Sequence, residues 1–158
     1  MLPINRMRCE YLCQPLGVDT SAPYLSWAVS PACGGNADAR VLVSYEEDFS
    51  SLLWDSGWTA RQCAVTYAGE PFRSGSRVWW KVLIRPAGQE NSIAEGVSWF
   101  ETGLMRETDW HGQWIRADAP CEAPVLLRTF PLEHVPDKAR VYLCGLGFFE
   151  LFVNGRRA

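Results

Sequence analysis

The chain lacks any apolar run approaching the roughly 18 residues of a membrane-spanning helix, so no membrane partner of that kind is expected. Its opening, MLPINRMRCEYLCQPLG, also lacks the run of about seven apolar residues that an export signal needs, because Asn5, Arg6, Arg8 and Glu10 interrupt it. That absence sets the expectation of a cytoplasmic protein, and Cys9, Cys13, Cys33, Cys63, Cys121 and Cys144 then read as reduced thiols. Histidine is scarce. His111 and His134 have no second ligand at zinc spacing, and Cys9-x-x-x-Cys13 has one residue too many for the usual structural pair, so no metal is expected. Phosphate-cradling glycine patterns are missing too. Gly145-Leu146-Gly147 has no third glycine and no strand feeding a helix, which makes it a bend between extended segments and leaves no cofactor to expect. Basic residues are scattered along the chain, as Arg6, Arg8, Arg40, Arg61, Arg73, Arg77, Lys81 and Arg85, and the formal net charge is -3. Without a concentrated basic face, nucleic acid is excluded as a partner.

What the chain has is aromatic and apolar residues in two-residue alternation. Of 158 residues 47% are apolar, and eight Trp, seven Phe and five Tyr favour strands and sandwich cores over helical bundles. Strands are expected at Leu25–Val29, Arg40–Tyr45, Gln62–Tyr67, Arg77–Arg85 and Val97–Thr102. The pattern is strongest in the fourth of these, with Val78, Trp80, Val82 and Ile84 on one face and Trp79, Lys81 and Leu83 on the other. Short strands separated by turn residues at these intervals make 1–103 an immunoglobulin-like or fibronectin type III-like sandwich. Leu104 to His111 is a linker or one helical turn.

Residues 112–158 carry further strand signals at Gln113–Arg116, Val125–Phe130, Ala139–Cys144 and Phe148–Val153. Asn154-Gly155 is a strong type I′ hairpin signal, and only Arg156, Arg157 and Ala158 follow for the returning strand. A hairpin with so short a second arm does not close a sandwich, so this region is expected to be a partial, truncated β-sandwich.

Carboxylates suited to hydrolysis are present but not obviously paired. Glu46-Glu47-Asp48 after a strand reads as a solvated loop. Asp55, within Leu53-Trp54-Asp55-Ser56-Gly57, reads as a turn residue that accepts backbone hydrogen bonds, with Gly57 ending the turn. Asn154 and Gly155 are structural turn residues of the same kind. Among the tryptophans, Trp79 and Trp80 point to opposite faces and make no common platform. Trp58 and Trp110, beside glycine or polar residues outside clear strands, are the candidate carbohydrate contacts.

The ordered segments Leu52-Leu53-Trp54-Asp55-Ser56-Gly57, Tyr67-Ala68-Gly69-Glu70-Pro71-Phe72, Val78-Trp79-Trp80-Lys81-Val82 and Trp99-Phe100-Glu101-Thr102-Gly103-Leu104 resemble the N-terminal region of bacterial α-L-rhamnosidases. Arg8-Cys9-Glu10-Tyr11, Pro15-Leu16-Gly17-Val18 and Leu25-Ser26-Trp27 extend the likeness forward. Asp109-Trp110, Gln113-Trp114-Ile115, Leu127-Arg128-Thr129-Phe130 and the run from Ala139 to Asn154-Gly155 extend it to nearly the whole chain. The connection from Cys33 to Arg40 departs from it, being compact where relatives commonly carry an Arg-Gln and Ala-Tyr signature.

The resemblance implies a fibronectin type III-like domain followed by the first strands of an incomplete jelly-roll-like β-sandwich. It also implies a separate catalytic (α/α)6 barrel further along, whose acidic residues hydrolyse terminal α-L-rhamnosides with inversion. No position here matches those acidic motifs or a calcium cluster, so no catalytic residue carries over. The leading expectation is a non-catalytic accessory module whose partners are the missing barrel, the remainder of the second sandwich and a rhamnosylated glycan. The competing readings are a standalone carbohydrate-binding module, a protein-interaction sandwich and a self-contained hydrolase. The last would require a perturbed acid pair in a cleft.

Overall fold

Period-two alternation over Arg77–Pro86 produces the longest strand, in which Val78, Trp80, Val82 and Ile84 are buried while Trp79, Lys81, Leu83 and Arg85 lie on the opposite, partly exposed face. The structure, a computed structural model, describes residues 4–29, 37–60, 63–87, 92–120 and 122–158. Its strands are β1 (Ile4–Cys9), β2 (Tyr24–Val29), β3 (Ala37–Ser44), β4 (Leu52–Asp55), β5 (Thr59–Ala60), β6 (Ala64–Thr66), β7 (Arg77–Pro86), β8 (Ala94–Glu101), β9 (Phe152–Val153) and β10 (Arg156–Arg157). A single 3-10 turn, Glu107–Asp109, is the only helical element among the described residues.

Residues Met1–Gln113 form one compact unit. It contains an antiparallel three-stranded sheet in the order β1-β2-β6 and a five-stranded sheet in the order β4-β3-β7-β8, with β5 also pairing β3. The β3–β7 register places Val41 opposite Val82 and Val43 opposite Trp80. The β7–β8 register places Val78 opposite Phe100. The inner faces of the two sheets bury Ile4, Cys9, Leu25 and Trp27 from the smaller and Ala39, Val41, Val43, Val78, Trp80, Val82, Ile84 and Phe100 from the larger. This is an all-β immunoglobulin-like sandwich, in line with the expectation from the strand pattern.

Three strands escaped the pattern reading. β1 is interrupted by Arg6 and Arg8, and its pairing with β2 shifts register between Asn5 and Arg8, where Arg6 takes φ 50°. β4 overlaps the segment read as a turn, so Asp55 ends a strand before the turn begins, and β5 is only two residues long. The chain reverses after β1 through Glu10 and Tyr11, both at positive φ. Cys9 and Leu12 exchange backbone hydrogen bonds of 3.0 and 2.9 Å across that turn. Expectations for the Cys33 to Arg40 connection, for Gln62 and for Gly88 fall partly or wholly outside the described residues.

Residues Trp114–Ala158 form a second unit. The strands expected at Gln113–Arg116, Val125–Phe130 and Ala139–Cys144 are not formed, and the one expected at Phe148–Val153 shrinks to Phe152–Val153. Alternation becomes a strand only where a neighbour supplies the ladder and a second layer buries one face. Here Val125, Leu127, Val135, Leu146 and Phe148 are exposed instead. The hairpin signal holds: β9 and β10 pair through Asn154 (φ 50°) and Gly155 (φ 75°), and Glu150 pairs with Arg157 at 3.0 Å.

Candidate functional site

Where the chain leaves the sandwich, it is fastened rather than free. The Val18 N–H donates to the Glu101 carbonyl (2.9 Å), and the Gly103 N–H donates to the Val18 carbonyl (2.8 Å). On the other side the Thr102 N–H donates to the Ser76 carbonyl (2.9 Å), and the Gly75 N–H donates to the Gly103 carbonyl (3.0 Å). The buried Thr102 hydroxyl accepts from the Ser76 N–H (2.9 Å) and donates to the Arg73 carbonyl (2.6 Å). Such short polar side chains satisfy backbone groups that the end of a strand leaves unpaired.

Ser74 extends the fastening past the last strand. Its hydroxyl accepts the Met105 N–H at 2.7 Å and donates to the Asp109 carboxylate. Asp109 is set in place by the 3-10 turn, in which its N–H donates to the Arg106 carbonyl (3.0 Å) and the Trp110 N–H donates to the Glu107 carbonyl (3.2 Å). One hydroxyl therefore holds two points of the exit segment against the turn that precedes β7.

Between these elements lies a cleft of about 160 Å³ lined by Phe72, Arg73, Ser74, Arg106 and Asp109. Its floor is rigid. Phe72 is buried, stacks on Tyr67 with ring centroids 4.3 Å apart, and meets Phe100 edge-on at 5.5 Å. Tyr67 donates to the Glu70 carbonyl (2.7 Å), and burial, assisted by Tyr45 and Glu70, pushes its phenol up to about 12. At the cleft wall the Arg73 N–H donates to the Tyr45 hydroxyl (2.7 Å), and the Arg73 guanidinium lies 4.9 Å from the Tyr45 ring centroid.

The residues singled out from sequence are dispersed. Asp55 accepts two hydrogen bonds from Arg40, one of them 2.8 Å from Nε, and another from the Gly57 N–H at 2.9 Å. The Arg40 hydrogen bond, helped by that from Gly57 and by the Arg40 charge, holds the carboxyl of Asp55 below the usual carboxylate range. Gly57 takes φ 67°, a conformation open to glycine. Trp58 lies on the outer rim of the larger sheet with the Arg85 guanidinium 4.4 Å from its ring centroid, and Arg85 also pairs with Asp38 at 2.8 Å. Trp110 follows the 3-10 turn and is 45% exposed. Trp58 and Trp110 share no ring contact among the described residues. Glu46, Glu47 and Asp48 are exposed, and Asn154 and Gly155 shape the terminal hairpin.

Arg73, Ser74 and Arg106, which line the cleft, were not singled out from sequence. Asp109 stands out in the sequence only within the Asp109-Trp110 segment of the family resemblance. The Ser74–Asp109 bond spans 35 residues, and neither residue sits in a motif that announces the other. The serine-glycine turn at Ser74-Gly75 was the one available signal.

Residues 4–106 match the family model described as the Rha78A-like, N-terminal immunoglobulin domain. An α-L-rhamnosidase of Streptomyces avermitilis is 36% identical over 132 residues, covering 79% of this chain and 13% of its own length. One from Alteromonas sp. (strain LOR) is 30% identical over 172 residues, covering 93% and 18%. Among solved structures, the Streptomyces avermitilis α-L-rhamnosidase complexed with L-rhamnose is similar with a TM-score of 0.65 and 30% identity, over 76% of this chain and 12% of that one. The α-L-rhamnosidase from Dictyoglumus thermophilum gives a TM-score of 0.63 and 28% identity, over 72% and 14%. The chain spans less than a fifth of the length of each of these proteins.

Proposed function

The chain belongs to the family of Rha78A-like N-terminal immunoglobulin domains, and on that premise we propose that it is the non-catalytic, positioning N-terminal region of an α-L-rhamnosidase-like glycoside hydrolase. The whole protein would hydrolyse terminal α-L-rhamnosides with inversion, through acids on a barrel that lies outside these residues. The observation that carries this reading is the fastened exit. A sandwich that merely decorated an enzyme could leave through a flexible linker, whereas Thr102, Ser74 and Asp109 tie the departing segment to the body of the domain.

Two further features support it. The described carboxylates in polar contacts serve structure: Asp55 holds Arg40 and the turn, and buried Glu101 pairs with Arg77 at 2.8 Å. In residues 114–158 the apolar side chains of Val125, Leu127, Leu146 and Phe148 stand exposed, which fits a half-layer completed by further strands of a longer polypeptide. The test is hydrolysis of p-nitrophenyl α-L-rhamnoside by the 158-residue chain and by a longer protein that contains it. The expected result is turnover only by the longer protein. Turnover by the chain alone would overturn the reading.

A further inference from the structure

Most sheet edges in the immunoglobulin-like unit are short or bulged, as edges that avoid stray pairing are. β1 shifts register against β2, β4 is 4 residues long and shifts register against β3, and β6 has 3 residues. β8 is different. It runs 8 residues without a proline and pairs with β7 in continuous register from Ala94 to Glu101.

The hydrogen bonds of Glu101 show which groups that edge leaves open. Its N–H donates to the Pro15 carbonyl (2.9 Å) and its carbonyl accepts from the Val18 N–H (2.9 Å), so both point away from β7. In an antiparallel ladder successive residues turn their backbone groups toward the partner strand and away from it by turns, so Glu95, Val97 and Trp99 share the direction of Glu101. Their N–H and C=O groups have no backbone partner on that side among the described residues. Glu95 and Val97 are exposed, which leaves the edge open to solvent there.

An extended strand is the form of chain that supplies donors and acceptors at this spacing. The available length is bounded, because Pro15 and Val18 take Glu101 and leave Glu95, Val97 and Trp99 for a partner. A second β8 running antiparallel fits that length about a two-fold axis at Val97. Val97 then faces Val97 of the other copy and Glu95 faces Trp99, each pair exchanging both of its N–H···O bonds. Charge fits the same register. The Arg77 guanidinium lies 4.1 Å from the Trp99 ring centroid, and Glu101 accepts from its Nε and Nη2, leaving Nη1 without a partner among the described residues. Glu95 is exposed, and its ion pair among the described residues is with Lys81 at 3.6 Å. The pairing sets the Glu95 carboxylate of one copy beside the Arg77–Trp99 stack of the other, opposite charges across neighbouring strands. We infer that the open edge of β8 is a self-association surface, to which a second copy of this chain adds its own β8 antiparallel, centred on Val97. This surface is independent of the rhamnosidase-like reading, which the hydrolysis assay tests separately.

The test is sedimentation velocity of the 158-residue chain between about 5 and 500 µM, with amide exchange followed by NMR at both limits. A dimer with a dissociation constant of roughly 10–100 µM is expected, in the weak range of small interfaces. Raising the concentration should slow exchange of the Glu95, Val97 and Trp99 amides several-fold, while those of Gly96 and Ser98, which face β7, should not change. Val97→Lys opposes two like charges at the axis and should raise the dissociation constant by at least about tenfold, whereas Val97→Thr, still β-branched, should keep it within about twofold. Protection of the β7 amides reports that each variant is folded. Three results would overturn the inference. They are a monomer throughout the range, a dimer that Val97→Lys leaves intact, or a dimer in which the Glu95, Val97 and Trp99 amides exchange as fast as in the monomer. The last would place the contact on the exposed apolar side chains of residues 114–158.

Discussion

The hydroxyl of Ser74 donates to the carboxylate of Asp109 while accepting the N–H of Met105, so a turn before β7 holds a segment that the chain reaches only some thirty residues later. Removing that hydroxyl leaves the Met105 N–H and the carboxylate to find water. Ser74→Ala is expected to cost about 1–2 kcal/mol, the range for a charge-assisted bond plus a neutral one in a partly exposed setting. Calorimetry should show a melting temperature lower by roughly 2–8 °C. The Met105 amide should also exchange faster, while Thr102, which is held separately, should not change. Unaltered protection at Met105 would mean that the exit segment is held by something else.

Gly69 sits where no side chain fits. A Cβ there would lie 2.5 Å from the Tyr67 hydroxyl oxygen and 2.7 Å from Cβ of Trp54. Trp54 and Tyr67 are themselves in edge contact at 5.3 Å, so neither can retreat without disturbing the aromatic stack beneath the cleft. Gly69→Ala is expected to destabilise by about 1–3 kcal/mol, the usual cost of overpacking. Urea unfolding followed by tryptophan fluorescence measures it, and a loss below about 0.5 kcal/mol would show that the stack yields easily.

The sandwich was legible where burial imposes alternation, as in Arg77–Pro86 and Ala37–Ser44, because a strand buried on one face has to repeat every two residues. It was not legible in β1, where charged Arg6 and Arg8 are accommodated by a register shift, nor in β5, which is too short to show a period. The second unit shows the opposite failure. Val125 and Leu127 alternate correctly, but alternation does not supply the neighbouring strand. The turn at Asn154-Gly155 was legible because positive φ is a local requirement, whereas the cleft depends on Ser74 meeting Met105 and Asp109 across a long separation.

Arg40 and Asp55 couple β3 to the end of β4, and acid should uncouple them. The Asp55 carboxyl is held below its ordinary value by the hydrogen bond from Arg40, so its folded value lies under the roughly 3.9 of an unfolded chain. The sign follows from linkage: the contribution is complete above about pH 4–5 and is lost as pH falls through the folded value. Asp55→Asn is therefore expected to cost up to about 1 kcal/mol near neutrality, as befits a half-exposed pair. The gap from the unsubstituted protein should narrow progressively as pH falls below about 4. A gap that is as large at pH 3 as at pH 7 would assign the effect to packing rather than charge.

Cys9 and Cys13 should differ sharply in reactivity although they lie four residues apart. Burial, reinforced by the negative charge of Glu10, pushes the Cys9 thiol up to about 12, whereas Cys13, Cys63 and Cys144 are exposed. Iodoacetamide at pH 8 followed by peptide mapping is expected to label Cys13, Cys63 and Cys144 and to spare Cys9 until the domain is unfolded. Rapid labelling of Cys9 under native conditions would mean that the turn at Glu10 and Tyr11 opens readily, and the hairpin at the start of the smaller sheet would then be a weak point of the sandwich.

Hydrogen exchange separates the two units most directly. Amides of β7 are paired on both sides, by β3 and β8, and lie over the core, so they should open only with global unfolding. Amides in 122–150 lie outside any strand and beside exposed apolar side chains, so they should exchange within seconds to minutes, apart from any held by contacts within the unit. If the exposed residues Val125, Leu127 and Phe148 are half of a layer, the same amides in a longer protein that contains this chain should become protected, and those of β7 should not change. Equal, slow exchange of β7 and 122–150 in the 158-residue chain would show that the second unit already has a second layer, supplied by another copy of itself. Sedimentation would then find a dimer.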